Sequence, residues 1–186
     1  MLTYTDLTKG TAFILDGEPY EVLEYKFLRM QQRKPVVQTK IKNLITGKIV
    51  SRNFHQNENF KEAEIEKEEL NFIYSHKGEY WFHKKNNPKQ RFSLKKEIMG
   101  GAAKFLKPNT IVTAYKFQEK IINIVLPIKM DYKVTEAPPA IRGNTAQGGS
   151  KQITLENGLK IQTPLFIEEG NFVRLNTETG EYVERV

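Results

Sequence analysis

The sequence predicts an all-β protein built from three small β-barrel domains. Strand-like segments dominate the chain, and short turn signals such as Asp16-Gly17 and Thr46-Gly47 separate them. Hydrophobic residues make up 39% of the 186 residues, a modest share for a globular chain that favours several small cores over a single large one. The composition is neither poor in core-forming residues nor dominated by one charge, so we expect the chain to fold.

The first sixty residues show the hairpin pattern. Their predicted strands are residues 11–15, 20–27, 36–44 and 48–54. In the third of these strands, apolar residues alternate with Gln38, Lys40 and Lys42. This alternation predicts a buried face and an exposed basic face on the same sheet. Residues 29–35 have no hydrophobic period and join two strands, which predicts a projecting loop.

Two changes along the chain predict domain boundaries. The acidic stretch 58–69 places one boundary near residue 62, and Pro127 marks the other, which gives predicted domains of 1–62, 63–127 and 128–186. The second domain is predicted to contain strands at 71–75, 79–83, 111–117 and 120–126, with a Lys/Asn/Pro loop after residue 83. After this loop, a short helix is predicted from the spacing of Leu94, Ile98, Ala102 and Phe105.

The third domain is predicted to contain strands at 130–136, 151–155, 159–163, 172–176 and 181–186. The second and third domains each have about 60 residues and some five strands. That is the size of the five-stranded oligonucleotide/oligosaccharide-binding (OB) barrel.

The basic residues are unevenly placed. The net charge is +7, yet no acidic residue occurs between Glu24 and Glu58, while the rest of the chain has 21 basic and 22 acidic residues. Eight cations lie in that acid-free stretch: Lys26, Arg29, Arg33, Lys34, Lys40, Lys42, Lys48 and Arg52. A surface that faces a polyanion is the favoured interpretation, and a merely solvated basic face is the alternative.

Nothing in the sequence predicts an enzyme. The absence of cysteine excludes thiol chemistry, disulfides and thiolate metal sites, and the spacing of His76, Glu79 and His83 matches no metal motif. No serine or threonine stands in a nucleophile motif, and the acidic residues near Glu18 fit a solvated edge. We therefore expect no cofactor and no metal. Apolar runs are too short to span a membrane, so a soluble cytoplasmic protein is expected.

Two further segments have competing interpretations. The glycine-rich stretch 143–150 resembles a phosphate-binding loop but lacks the Lys-Ser/Thr ending, so a plain loop is favoured. If it binds anything, its backbone N–H groups would contact a phosphate or a base. The aromatic residues Tyr74, Tyr80, Trp81 and Phe82 fill a core in the favoured interpretation and stack on bases in the other.

Several motifs together resemble the bacterial elongation factor P family. They are Asp16-Gly17-Glu18-Pro19, Lys42-Asn43-Leu44-Ile45-Thr46-Gly47, Gly143-Asn144-Thr145-Ala146-Gln147-Gly148-Gly149, and the C-terminal segments 155–170 and 176–186. They stand at the spacings of that family and cover the whole chain. The resemblance implies an L-shaped molecule with an SH3-like (KOW-type) first domain followed by two OB domains.

The same resemblance implies a function and partners. Members of the family bind the ribosome between the peptidyl and exit sites, contact the peptidyl-tRNA and relieve stalling at consecutive prolines. The resemblance therefore implies a monomeric translation factor without catalytic residues or membrane contact. Lys26, Lys40 and Lys42, which the charge placement puts on the first sheet, are the predicted RNA-facing patch.

The resemblance also assigns two loops. The first-domain loop would contact the peptidyl-tRNA through Arg29, Gln32, Arg33 and Lys34. Its tip, a modified lysine or arginine in the family, is Gln32 here, which cannot carry either modification. The third-domain loop would lie near exit-site mRNA, and it has Gly143-Asn144-Thr145 where the family has Gly-Asp-Thr.

Two alternative functions stay open at this point. An elongation-factor-P-like paralogue with a different stall specificity would explain Gln32 at the tip, although the ending 180–186 favours the main branch of the family. A general RNA-binding protein with OB domains would explain the basic stretch.

Overall fold

The computed structural model describes residues 1–29, 35–139 and 149–186, and it confirms the all-β prediction. Within these ranges the strands form three sheets of five or six strands each. Short helical segments are confined to residues 4–6 and 96–105 of the described chain. No helix among the described residues is long and apolar enough to cross a membrane.

The first sheet contains six strands in the order β1-β6-β2-β3-β4-β5. Their bounds are β1 Leu2–Thr3, β2 Ala12–Leu15, β3 Glu18–Leu28, β4 Val36–Asn43, β5 Ile49–His55 and β6 Asn59–Glu62. The first hairpin turns at Asp16-Gly17, where both residues have positive φ (52° and 85°). This backbone geometry is the one for which Asp-Gly is preferred in two-residue hairpins, and it confirms the predicted turn.

Three phenylalanines form the centre of the first core. Phe13, Phe54 and Phe60 pack edge to face, with ring centroids 4.9–5.7 Å apart. Leu7, Val22 and Ile41 are buried around them. Edge-to-face packing places the positive edge of each ring against the negative face of another, which adds to the stabilisation from burial.

The second sheet has the order β11-β10-β7-β8-β9. Its strands are β7 Ile65–His76, β8 Glu79–Lys84, β9 Asn87–Lys95, β10 Ile111–Phe117 and β11 Lys120–Val125. The segment after residue 83 was predicted as a Lys/Asn/Pro loop, and β9, which begins at Asn87, was not predicted. Pro88 fits there because β9 is an edge strand, in which one missing N–H donor is tolerated.

The helix predicted from Leu94 to Phe105 is shorter and divided. Leu94 belongs to β9, α1 spans only Lys96–Met99, and a 3₁₀ helix covers Gly100–Phe105. Gly100 ends α1 with a φ of +48°, a conformation that glycine adopts more readily than other residues. The apolar spacing was thus a correct sign of helical structure but gave the wrong start and the wrong type.

The third sheet has the order β14-β13-β12-β15-β16. Its strands are β12 Lys129–Glu136, β13 Ser150–Leu155, β14 Lys160–Pro164, β15 Phe172–Asn176 and β16 Tyr182–Arg185. Each matches a predicted strand to within one or two residues. Val134, Ile153, Leu155, Val173 and Leu175 are buried between them.

Spatial proximity groups the chain into two compact units. The first contains Met1–Glu68 and Ala114–Ile124, and the second contains Glu69–Thr113 and Val125–Val186. This grouping does not test the boundaries expected near residues 62 and 127, which stay predictions.

Within the second unit, Tyr132 joins the third sheet to the end of the 3₁₀ helix. Its side chain is fully buried, and its hydroxyl donates a 2.5 Å hydrogen bond to the carbonyl oxygen of Phe105. Burial raises the pKa of the Tyr132 hydroxyl above its ordinary value, with a smaller contribution from the nearby Glu156 carboxylate. The hydroxyl therefore stays protonated at neutral pH and can donate this hydrogen bond.

Lys107 adds a second connection at the same place. Its ammonium donates to the carbonyl oxygen of Asp131 at 2.6 Å and to Glu156 Oε1 at 3.0 Å. Partial burial alone would raise the pKa of Glu156, but hydrogen bonds from Lys107 and from the backbone N–H of Lys133 lower it. Asn157 Nδ2 donates to the Lys104 carbonyl at 3.0 Å, so a network of hydrogen bonds holds this part of the unit.

We expect Tyr132→Phe to lower the free energy of unfolding of the second unit by about 1–2 kcal/mol, because the Phe105 carbonyl loses its donor while the ring stays in place. Thermal unfolding followed by circular dichroism and by Trp81 fluorescence measures the change. Tyr182→Phe is the matched control, since the Tyr182 hydroxyl has no hydrogen bond among the described residues. Equal losses in both variants would contradict the role given to the Tyr132 hydroxyl.

Candidate RNA-binding surface

The outer face of the first sheet is built from β3, β4 and β5. Side chains directly opposite each other on paired strands share a face. The register places Lys40 between Glu24 and Ser51. The next outward row consists of Lys26, Gln38 and Asn53.

The alternation predicted for β4 is confirmed. Val37, Thr39 and Ile41 are buried, while Gln38 and Lys40 are exposed. Lys42 continues the outward set and is half-buried. The three lysines of the predicted patch, Lys26, Lys40 and Lys42, therefore lie on the same outer face.

Strand pairing brings acidic residues onto this face. Glu24 accepts a 3.0 Å hydrogen bond from the Lys40 ammonium, and Glu21 lies opposite Lys42. The acid-free stretch of the sequence is thus not acid-free in space. Because both ions of the Lys40–Glu24 pair are largely exposed, the pair contributes little to stability. It does reduce the charge that Lys40 presents to an anion.

Arg52 belongs to the other face. It lies opposite Thr39, which is buried, and its guanidinium lies 5.6 Å from the centroid of the Phe54 ring. It also makes a 3.6 Å ion pair with Asp16. Arg52 is therefore one of the eight cations of the basic stretch, but it does not contribute to the outer face.

A shallow groove of about 830 Å³ runs across the outer face. Its lining includes Lys9, Lys26 and Lys40 together with the polar side chains of Gln38, Ser51 and Asn53. Lys9 and Lys26 make no ion pair with the described residues. The sequence did not single out Lys9, because it stands outside the acid-free stretch. Lysines with amide and hydroxyl groups between them are suited to phosphate and sugar contacts.

The β3–β4 hairpin carries the predicted peptidyl-tRNA loop. Its last pairs before the loop are Phe27 with Val37 and Leu28 with Val36, and Arg29 is exposed directly after β3. Gln32, Arg33 and Lys34 lie outside the described residues, so their predicted role is not tested.

The predicted third-domain loop, with Gly143, Asn144 and Thr145, also lies outside the described residues. Its flanks are described. Lys151 Nζ donates a 3.0 Å hydrogen bond to the carbonyl oxygen of Pro138. A Cβ on Gly149 would lie 3.0 Å from Leu165 Cδ1, so this close approach favours glycine.

A second basic stretch, not predicted from the sequence, lies in the second domain. No acidic residue occurs between Glu79 and Glu97, and this interval contains Lys84, Lys85, Lys89, Arg91, Lys95 and Lys96. The near-zero charge of the chain outside the first stretch concealed it, because acidic residues elsewhere offset these six cations. A count of charge in shorter windows would have found it.

Among the described residues, no group of three or more His, Asp or Glu side chains could hold a metal ion. The candidate carboxylates have structural partners: Glu18 accepts a 2.5 Å hydrogen bond from Asn43 Nδ2, and Asp16 pairs with Arg52. The aromatic set also divides, because Phe82 is in the core and Tyr74 is exposed.

Comparison with known proteins agrees with the strand architecture. Residues 3–60 match the family model described as the elongation factor P KOW-like domain, and residues 130–185 match the model of the elongation factor P C-terminal domain. Elongation factor P from Thermodesulfovibrio yellowstonii is 36% identical over 186 residues, which is 100% of this chain and 99% of that protein. The chain belongs to the elongation factor P family.

Other members of the family give similar agreement. Elongation factor P from Moorella thermoacetica is 37% identical over 185 residues, and that from Carboxydothermus hydrogenoformans is 34% identical over 186 residues. Both alignments cover 100% of each chain. This elongation factor P family member thus has a KOW-like first domain.

Among solved structures, an initiation factor 5A from Methanococcus jannaschii aligns with a TM-score of 0.49 at 12% identity. The alignment covers 67% of this chain and 92% of that chain. This likeness is too weak to bear on the function of the protein.

Proposed function

We propose that this elongation factor P family member acts in the cytoplasm on the ribosome, beside the peptidyl-tRNA, and stimulates peptide-bond formation at consecutive prolines. The observation that carries the proposal is the full-length identity of about 36% to elongation factor P, with both terminal family models matched. A translation elongation factor is the function that this membership supports directly.

The groove on the first sheet supports contact with RNA. Lys9, Lys26 and Lys40 line it, and Glu24 offsets part of the charge of Lys40. The polar side chains between these lysines offer hydrogen bonds to phosphate and sugar. Such contacts position a protein on an RNA without reading its sequence.

The β3–β4 hairpin supports a positioning role for the loop. Cross-strand pairing continues to Leu28 and Val36, so both ends of the 29–35 connection are held at the end of a sheet. Proline is a constrained substrate because its ring fixes φ. A factor that fixes the end of the peptidyl-tRNA can accelerate the reaction by orienting the ester and the amine, while the ribosome performs the chemistry.

Gln32 is the feature that distinguishes this chain from the family pattern. Glutamine carries no charge, so a neighbouring cation must supply any contact with a phosphate. Arg33 is the stronger candidate, because a planar guanidinium can donate two parallel hydrogen bonds to a phosphate and can stack on a base. We therefore propose that the loop acts unmodified, with Gln32 donating or accepting hydrogen bonds and Arg33 supplying charge.

Two alternatives make different predictions. A paralogue with another stall specificity would relieve stalls at other sequences and leave consecutive prolines unaffected. A general RNA-binding protein would bind free RNA as well as it binds ribosomes, whereas the proposed factor requires a ribosome with a vacant exit site. A reconstituted translation assay with a polyproline template, combined with ribosome pelleting, separates all three.

The first prediction from the proposed function concerns the outer face of the first sheet. Replacing Lys9 and Lys26 together by Gln is expected to flatten the dependence of log affinity on log salt by about 1.4–1.8, because each phosphate contact contributes about 0.7–0.9. Lys40→Gln is the control and is expected to flatten the slope by less than half as much as the double variant, since Glu24 already offsets part of the charge of Lys40. Ribosome pelleting over a series of salt concentrations measures both slopes. An unchanged slope in the double variant would assign these lysines to a solvated face.

The second prediction concerns the loop tip. Arg33→Ala is expected to slow polyproline synthesis by roughly ten- to hundredfold, because it removes a charge-assisted contact made in the transition state. Lys34→Ala is the matched control and is expected to have a much smaller effect. The unmodified recombinant protein should be active before any substitution. An inactive unmodified protein, or added mass on Arg33 or Lys34 in protein from the native host, would overturn this role for Arg33.

The third prediction concerns the third-domain loop. Asn144→Ala is expected to reduce activity in the polyproline assay without lowering the melting temperature, because loop groups that contact RNA do not stabilise a core. Asn157→Ala provides the opposite control, since Asn157 donates a structural hydrogen bond to the Lys104 carbonyl. A parallel loss of melting temperature and activity in Asn144→Ala would show that the loop is structural.

A further inference from the structure

The second basic stretch is centred on the edge strand β9. From Arg91 to Lys95 its residues pair regularly with β8 and alternate between the two faces of the sheet, so Arg91, Ser93 and Lys95 share one face. Arg91 and Lys95 are exposed. This edge thus presents two cations on a single face.

The register places an aromatic residue among these cations. Ser93 lies opposite Trp81 on β8, Arg91 lies opposite His83, and Lys95 lies opposite Glu79. Arg91 and Lys95 are therefore the diagonal neighbours of Trp81, a separation that long side chains can span. Glu79 offsets part of the charge of Lys95, which leaves Arg91 as the stronger cation beside Trp81.

Trp81 is also stacked on Tyr74 of β7, the strand that pairs with β8 on the side away from β9. Tyr74 lies opposite Trp81, and the two rings are nearly parallel, with centroids 6.0 Å apart and planes 18° apart. Tyr74 is 46% exposed, whereas Phe72 and Phe82 on the opposite face are buried in the core. A β-bulge between Phe72 and Tyr74 accompanies this change of face.

Protection of the sheet edge explains only part of this arrangement. Lysine and arginine on an edge strand discourage pairing with another chain, and that role needs nothing from a neighbouring aromatic pair. Core packing does not explain Tyr74, because nearly half of its surface is exposed. Aromatic rings on a sheet face with flanking cations are the combination that binds unpaired nucleic acid, in which bases stack on the rings and phosphates contact the cations.

We propose that Tyr74, Trp81, Arg91 and Lys95 form a platform that binds an unpaired RNA base and its flanking phosphates. RNA is the polyanion that a translation factor meets. The proposal does not depend on the function proposed for the first sheet, because all four residues belong to the second sheet and the second compact unit. It assigns to the second domain a contact that binds RNA only where a base is unpaired.

Trp81 makes the test direct because it is the only tryptophan in the chain. We expect single-stranded oligouridylate of about ten nucleotides, a length within the range of OB-fold sites, to quench Trp81 fluorescence saturably at low salt. An RNA duplex of equal length is expected to leave the fluorescence unchanged, because its bases are already stacked and paired. Both titrations use the full chain.

Variants of Tyr74 test the stacking contact. Tyr74→Leu keeps an apolar side chain but removes the ring, and we expect it to weaken binding of labelled oligouridylate roughly tenfold, as measured by fluorescence anisotropy. Tyr74→Phe keeps the ring and is expected to bind like the wild type. Melting curves establish that each variant is folded, and Tyr74 is suitable for substitution because it is exposed.

Arg91→Gln tests the charge contact. It is expected to flatten the salt dependence by about 0.7, the contribution of one phosphate contact on a single strand. Lys129→Gln, which removes one exposed charge from the third sheet, is the matched control and is expected to leave the slope unchanged.

Three results would overturn the proposal: no binding of oligouridylate at low salt, binding without a change in Trp81 fluorescence, or equal affinity for Tyr74→Leu and Tyr74→Phe. None of them bears on the first-sheet proposal, which is decided by ribosome pelleting and polyproline synthesis. The two proposals can therefore fail separately.

Discussion

Strand register is the constraint on which both proposed RNA-binding surfaces depend. Successive side chains of a strand point to opposite faces, so a shift of one residue would exchange the buried and exposed sets. In the first sheet the register turns Lys26, Lys40 and Lys42 outward while Val37 and Ile41 stay buried. The buried residues fix this register through the free energy of burial, and the cations are placed as a consequence.

Much of the architecture could be predicted because its signals are local. Asp16-Gly17 specifies a hairpin turn by its backbone preference, and the alternation in β4 specifies which face is buried. The division of the helical segment depended instead on the backbone angle of Gly100, and β9 was not predicted because Pro88 is acceptable in a strand only at an edge position. Both depend on tertiary context that a local pattern does not contain.

The candidate site could be predicted only in part, because charge in sequence is not charge in space. The acid-free stretch correctly indicated a basic sheet face, yet Glu24 is paired with Lys40 through the adjacent strand and Arg52 lies on the opposite face. Lys9 joins the groove from outside the stretch. Lys40 and Glu24 are sixteen residues apart in the sequence and meet only because their strands pair. A count of charges along the sequence cannot show such a contact.

The two surfaces differ in the part of RNA that each can contact. The first-sheet groove has lysines, amides and hydroxyls, which bind phosphate and sugar and are indifferent to whether a base is paired. The Tyr74–Trp81 pair offers a ring face, which is useful only to a base that is free to stack. Charge alone would attach the protein to any RNA. A stacking contact in addition would restrict productive binding to RNA that presents an unpaired base, so the pair would supply selectivity that a basic surface lacks.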